Sequence, residues 1–314
     1  MADGGTTMRA VVTAGGRLVL SEVPRPAPAP GETLVRVAVI SLNRGEVKTA
    51  LAAEDGWRPG WDYAGVVAEA AADGSGPPKG ARVVGALPVG AWAEYVAVGA
   101  PFLAALPNAV SFEDAATLPI AGLTARRALG KGAAKPGRRV LVTGASGGVG
   151  VFGVQLAAKA GDVVTAHVRN PTHEPLMREL GAASVLVGPS LAAADPDLRY
   201  DLILDSVAGA SLGAALERLA PGGTCVNLGA SENSVTTFDT AKFRVVGGTT
   251  LVGLNMNYEL QFEAPSVGLA DLAGRLADGS LRTVIEARAP IADIARVADD
   301  LIERRFVGKA VLTF

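Results

Sequence analysis

The sequence predicts an α/β protein in two parts, a β-rich barrel and a doubly wound parallel sheet. Three observations carry this. The apolar run Val140-Leu141-Val142-Thr143 feeds straight into Gly144-Ala145-Ser146-Gly147-Gly148-Val149-Gly150, and a helical pattern follows over 151–160. Before about Ser111, short alternating segments recur between Gly, Pro and Asp clusters. From Gly137 onwards strand patterns alternate with helical ones, which is the order of a parallel sheet with crossover helices.

Taken in order, residues 9–13 and 18–23 flank Ala14-Gly15-Gly16, a hairpin signal. A proline-rich connection covers 24–30, and 33–40 alternates like a half-buried strand. Further strands are expected at 65–69, 81–85 and 91–98, a spacing that suits a small barrel. Residues 112–129 read as helix-rich. Strands then fit 163–168, 184–187, 202–205, 224–228 and 249–254, with helical segments at 174–180 and 211–219. Helical patterns at 266–276 and 291–305 precede a last strand at 310–314.

Composition narrows the function. A length of 314 residues suits two domains, each able to bury a core. The 29 basic and 31 acidic residues are mixed along the chain, net −2, without the basic stripe a nucleic-acid partner calls for. One cysteine, Cys225, excludes a disulfide framework and a multi-cysteine zinc site. Residues 1–7 lack the apolar segment of a secretory signal. The nineteen uncharged residues 140–158 hold five glycines and change period midway, which favours a buried turn over a membrane span. A cytoplasmic protein is the expectation.

The glycine-rich turn has a chemical reading. A strand, a tight turn and a helix start, in that order, cradle a dinucleotide pyrophosphate on free backbone N–H groups. Here those belong to Ser146, Gly147, Gly148 and Val149, with Gly144 turning the chain. The fingerprint is degenerate, since Ala145 stands where the first glycine of G-x-G-x-x-G belongs, and such turns also serve packing alone. The next strand ends Val168-Arg169-Asn170 with no carboxylate before Glu174. A carboxylate there would bind a ribose hydroxyl and repel a 2′-phosphate, whereas a guanidinium grips the phosphate. NADPH is therefore expected over NADH, on Arg169 with Asn170 and His173 assisting. The plainer reading of Arg169 is a solvated loop residue.

With these pieces placed, the chain resembles the medium-chain dehydrogenase/reductase superfamily, in its zinc-free quinone oxidoreductase branch. The likeness spans 8–314. It rests on Ser41-Leu42-Asn43-Arg44-Gly45-Glu46, Pro59-Gly60-Trp61-Asp62-Tyr63-Ala64-Gly65-Val66-Val67 and Gly90-Ala91-Trp92-Ala93-Glu94-Tyr95. It continues through Ala115-Ala116-Thr117-Leu118-Pro119, Gly122-Leu123-Thr124-Ala125, Asp205-Ser206-Val207-Ala208-Gly209 and Gly308-Lys309-Ala310-Val311-Leu312. The resemblance implies a GroES-like barrel over 1–118 and 258–314, a Rossmann domain over 119–257, and an active site in the cleft between them. Asn43, Trp61 and Pro119 match the positions where zinc-dependent cousins carry metal ligands. None of the three is a usable ligand, the four-cysteine structural lobe is missing, and His167 and His173 belong to the second Rossmann strand and its end. No metal is expected.

Without a Lewis acid, hydride delivery to a quinone or an α,β-unsaturated carbonyl (an enone) is easier than alcohol oxidation, because the negative charge is delocalised and hydrogen bonds can hold it. Asn43 and Tyr63 are the catalytic candidates, the first equally readable as a turn residue. Arg44, Trp61, Met256 and Tyr258 are candidates for the substrate pocket, while Asp62 reads as structural. Thr124, Ser206, Val207, Gly229, Ala230, Ser231 and Asn255 are expected at the cofactor, the last six beside the carboxyl ends of sheet strands. A small-molecule substrate and a homodimer through the edge strand 249–254 complete the expectation. Two alternatives stand beside it: a trans-acting enoyl reductase on carrier-bound thioesters, and a non-catalytic NADPH-binding protein.

Overall fold

A computed structural model describes residues 6–191, 195 and 197–314. The chain divides into two units, Met1–Leu123 with Leu260–Phe314, and Thr124–Glu259.

In the first unit β1 (Thr7–Ala14) and β2 (Arg17–Pro24) form the expected hairpin, turning at Gly15 and Gly16, both with positive φ. The other strands are β3 (Glu32–Ser41), β4 (Asp62–Glu69), β5 (Arg82–Ala86), β6 (Tyr95–Gly99) and β7 (Leu103–Ala105). They join β14 (Ile285–Pro290) and β15 (Lys309–Thr313) in one sheet of order β14-β15-β3-β4-β5-β7, with β6 also on β3. Val35, Val37, Ile40, Val67, Val83 and Leu312 from these strands share one buried cluster. The unit's helices are α1 (Arg44–Leu51), α2 (Phe112–Ala116), α9 (Pro265–Ala277) and α10 (Ile294–Ile302). Strand β15 pairs antiparallel with β3, so the last residues of the chain lie beside Ser41 and Leu42.

Two segments of this unit bear on the site. Arg44 and Glu46 open a helix rather than lie in a loop, because Asn43 is its N-cap and the Glu46 carboxylate, three residues on, accepts from the Asn43 backbone N–H. The stretch 112–129 is helix-rich, as expected, with a π-turn at Leu118–Gly122 between α2 and α3 (Leu123–Leu129). Pro119 has no N–H to continue the ladder.

The second unit holds β8 (Arg139–Thr143), α4 (Gly148–Lys159), β9 (Val163–Val168), α5 (Glu174–Glu179), β10 (Ser184–Val187) and β11 (Tyr200–Asp205). It continues with α6 (Gly209–Leu216), β12 (Leu219–Asn227), α7 (Thr240–Val246), β13 (Thr250–Gly253) and α8 (Met256–Glu259). The sheet is parallel throughout, in the order β10-β9-β8-β11-β12-β13. That is the doubly wound order of a Rossmann domain, whose ligand crevice lies outside the carboxyl ends of the strands where the order reverses, at β8 and β11. Among the described residues no helix is long and apolar enough to cross a membrane.

Candidate functional site

The turn after β8 is built by glycines. Gly144 has φ +60, and a Cβ there would lie 2.5 Å from Ser206 Oγ. A Cβ on Gly150 would sit 2.5 Å from the Gly144 carbonyl oxygen and 2.6 Å from Ala145 Cα. The turn closes with Gly147 N–H donating to Gly144 O at 2.9 Å, while Ala145 N–H donates to His167 O at 3.1 Å. Gly147 is the N-cap of α4. The first N–H groups of a helix have no carbonyl one turn earlier, and here Ser146, Gly148 and Val149 are half-buried and Gly147 exposed. A side chain is excluded at Gly144 and at Gly150, and the helix start supplies backbone donors at Gly148 and Val149.

Around it the strand ends are tied together by one buried carboxylate. Asp205 Oδ1 accepts from Thr143 Oγ1 at 2.6 Å, and its Oδ2 from Asn227 Nδ2 at 3.0 Å and Ala208 N at 2.9 Å. Thus β8, β11 and β12 end at one anchor. Ser206 Oγ is committed to Thr143 O (3.1 Å), and Ser231 N–H donates to Ser206 O. Val207 and Gly229 are half-buried and Ala230 exposed. Ala208 holds φ +61, ψ −153, a region that favours glycine.

At the end of β9, Arg169 and Asn170 are exposed. Asn170 Oδ1 accepts from Thr172 N at 3.0 Å, capping the short turn Pro171–His173. His173 is half-buried, and its Nδ1 is sealed without a partner. His167 is buried, its Nε2 3.0 Å from Gly188 O, and burial lowers its basicity. Thr124 is buried in α3. Asn255 is exposed at the start of α8, Met256 is half-buried, and Tyr258 is exposed.

The first unit carries a buried ionic knot. Asn43 Nδ2 donates to Asp62 Oδ2 (2.8 Å) and to Glu46 Oε2 (3.2 Å), while Asn43 Oδ1 accepts from Lys309 Nζ at 2.6 Å. Lys309 Nζ also donates to Leu42 O at 2.9 Å and lies 3.3 Å from Asp62 Oδ2. Asp62 Oδ1 takes the Ile120 N–H of the π-turn at 3.0 Å. Glu46 and Asp62 are fully buried. Burial raises both carboxyls, Glu46 well above the ordinary range; the Asp62 charge pushes Glu46 further, and Lys309 pulls both back.

This geometry corrects three expectations. The Asn43 amide has both hydrogens and its oxygen engaged inside the knot, so it is not free to hold a substrate oxygen. Tyr63 is sealed in the barrel core with its hydroxyl unpartnered and its ring over Gly85; burial raises its pKa and keeps it un-ionised. It has no route to a substrate. Arg44 Nη1 donates to Leu301 O (2.9 Å) and Ile302 O (2.6 Å), capping α10 rather than lining a pocket. Trp61 is half-buried with its ring edge 3.9 Å from where a Gly45 Cβ would lie. Asp62 is structural, as expected.

Sequence reasoning names no role for Lys309 or Asp205, and for Glu46 it offers substrate orientation or a surface ion pair rather than a place in this knot. The signals were present: a lysine behind Gly308 at the head of the last strand, a glutamate at the third position of a capped helix, and an aspartate closing an apolar strand.

Comparisons with known proteins agree with this architecture. Residues 29–108 match the family model described as alcohol dehydrogenase GroES-like domain, and residues 180–312 the one described as zinc-binding dehydrogenase. Human quinone oxidoreductase is 28% identical over 99% of both chains. A mycocerosic acid synthase-like polyketide synthase of Mycobacterium tuberculosis is 34% identical over 65% of this chain, which spans only 10% of that protein. Among solved structures, a mycobacterial protein complexed with NADPH is 28% identical with a TM-score of 0.86, covering 98% of this chain and all of that one. The chain belongs to the medium-chain dehydrogenase/reductase superfamily, in its quinone oxidoreductase-like branch.

Proposed function

We propose that this protein is an NADPH-dependent, zinc-independent oxidoreductase that passes hydride to a quinone or an enone. The observation that carries this reading is the glycine-rich turn Gly144–Gly150, packed so that a Cβ at Gly144 or Gly150 would collide with its neighbours. The residues fit a dinucleotide. Backbone N–H groups of Ser146, Gly148 and Val149 would take the pyrophosphate, Gly147 N–H being spent on Gly144 O, and the exposed Arg169 would take the 2′-phosphate beside His173. When bound, the reduced nicotinamide supplies the hydride.

Zinc independence rests on the donor set: an amide, an indole and a proline stand at the matching positions, and the amide is consumed by the knot. Cys225 lies buried in the second unit's core, and burial raises its pKa and keeps it a thiol. With the Asn43 amide engaged in the knot and Tyr63 sealed in the core, solvent water supplies the proton. A homodimer through β13, the bare edge of the parallel sheet with Leu251 exposed, is part of this reading, as is a cytoplasmic setting.

A second reading, an enoyl reductase on carrier-bound thioesters, is favoured by the likeness to the polyketide synthase. Following nicotinamide absorbance with NADPH and a panel of quinones, enones and enoyl thioesters tests both. Turnover of one class selects its reading; NADPH binding without turnover on any acceptor leaves a non-catalytic binder instead.

A further inference from the structure

Half-buried arginines in this chain are partnered. Arg82 donates to the carbonyls of Pro107, Asn108 and Val110 and lies over the Phe112 ring, and Arg44 caps α10. Arg58 is the exception among the described residues: it is half-buried with no hydrogen bond, ion pair or aromatic contact, and its Nε is sealed from solvent without an acceptor. Burial lowers its pKa, with no carboxylate close enough to offset the loss. Of the acids near it in sequence, Asp55 is turned onto Gly15 N–H and Asp62 onto Lys309, and Glu54 makes no ion pair with it.

The stem that presents this guanidinium is fixed. Trp57 N–H donates to Thr13 Oγ1 at 3.0 Å, and the Pro59 and Gly60 carbonyls accept from Trp92 N (3.3 Å) and Ala91 N (3.0 Å). Gly60 has φ +124 and is packed so closely on the Ala91–Trp92 backbone that a Cβ would overlap it. Three residues after Arg58 comes Trp61, the pocket-wall candidate on the same loop. A half-buried guanidinium on a fixed backbone, without a protein partner, is complementary to an oxyanion, which it can grip through two N–H groups.

We propose that Arg58 anchors an anionic group, a carboxylate or a phosphate, on the acceptor substrate. This rests on the reductase reading and deepens it: the preferred acceptor is a charged one rather than a plain quinone. The two oxyanions share the same chemistry at Arg58 and are separated by experiment.

Two acceptor pairs serve, an enone carboxylic acid with its methyl ester, and crotonyl-coenzyme A with the uncharged crotonyl-N-acetylcysteamine. The readout is the ratio of kcat/KM, charged over neutral, in the wild type, Arg58→Gln and Arg58→Lys. Losing one charge-assisted contact should lower that ratio about ten- to hundredfold in Arg58→Gln, through KM, with partial recovery in Arg58→Lys. A fall confined to the acid–ester pair identifies a carboxylate, and one confined to the thioester pair a phosphate. A ratio that does not move in the variant overturns the proposal, as does an equal weakening of NADPH binding, which would place Arg58 on the cofactor. If no acceptor turns over, the reductase reading fails separately, and calorimetric titration of the enone acid and crotonyl-coenzyme A into the NADPH-loaded protein decides the anchor. Binding that weakens in Arg58→Gln sustains it; binding that is absent or insensitive to the variant ends it.

Discussion

Lys309 Nζ stands 3.3 Å from Asp62 Oδ2 with the lysine side chain 2% and the aspartate 0% exposed. This pair joins the last strand of the chain to β4. The two further donors of the ammonium reach Leu42 O and Asn43 Oδ1, and the carboxylate also receives the Asn43 amide and Ile120 N–H. Both ions are thereby compensated, which is the condition under which a buried pair is tolerated. A single anchor fixes the Asn43 turn and the π-turn at once.

Lys309→Met should therefore destabilise the protein by about 3–5 kcal/mol, because the buried Asp62 carboxylate loses its counter-charge. Adding Asp62→Asn should recover much of that loss, since an amide needs none. Chemical denaturation of the three variants measures it. A double variant no better than Lys309→Met would show that the cost comes from lost packing instead.

Glu46 gives a pH signature. Its pKa is raised in the folded protein by burial and by the Asp62 charge, so the folded state keeps a proton that the unfolded chain releases from about pH 4.3. The stability from this group is complete below that pH and is lost as pH rises through the raised folded value. Glu46→Gln keeps an acceptor for the Asn43 N–H and removes the titration. The stability difference between wild type and variant, followed by thermal melts from pH 4 upward, should shift steadily in favour of Glu46→Gln. A difference independent of pH would mean that Glu46 is ionised in the fold.

The parallel sheet and its glycine turn were legible in the sequence because strand, turn and helix are local patterns, and the residues between Val140 and Gly150 dictate them. The barrel hairpin at Gly15-Gly16 was legible for the same reason. The knot was not, since Lys309 and Asn43 are 266 positions apart and meet only because β15 pairs with β3. Tyr63 was misread for a related reason: its neighbours in sequence mark a site, while strand alternation turns its ring into the core. Tyr63→Phe should accordingly leave NADPH-dependent turnover within about twofold and stability equal or higher, because an unsatisfied buried hydroxyl costs about 1–3 kcal/mol. A hundredfold fall in kcat would put that hydroxyl at the substrate.

Ala208 is a place where this chain spends stability at its crevice. At φ +61, ψ −153 its Cβ is strained, while its N–H is held by Asp205 and its neighbours Ser206 and Val207 bond the 231–232 backbone. Ala208→Gly should relieve about 1–3 kcal/mol of strain, less up to about 1 kcal/mol for the greater freedom of glycine in the unfolded chain. A higher melting temperature with an unchanged NADPH affinity is the expected result. A lower melting temperature would show that the methyl contributes more by packing than it costs in backbone strain.

The proposed preference for NADPH assigns the 2′-phosphate to Arg169. It is exposed at the carboxyl end of β9, and the nearest following acid, Glu174, is engaged with Arg178 at 2.7 Å. The segment 169–174 therefore offers no free carboxylate to compete for a 2′-phosphate or to hold a ribose 2′-hydroxyl. Arg169→Ala should weaken NADPH about tenfold or more, the value of one charge-assisted contact, and NADH much less, because the two differ only in the phosphate this side chain would grip. KM and direct titration with both cofactors measure the split. Equal losses would mean that Arg169 acts on something the cofactors share. No loss would leave it a solvated loop residue and shift the 2′-phosphate to the half-buried His173, where His173→Ala then becomes the decisive variant.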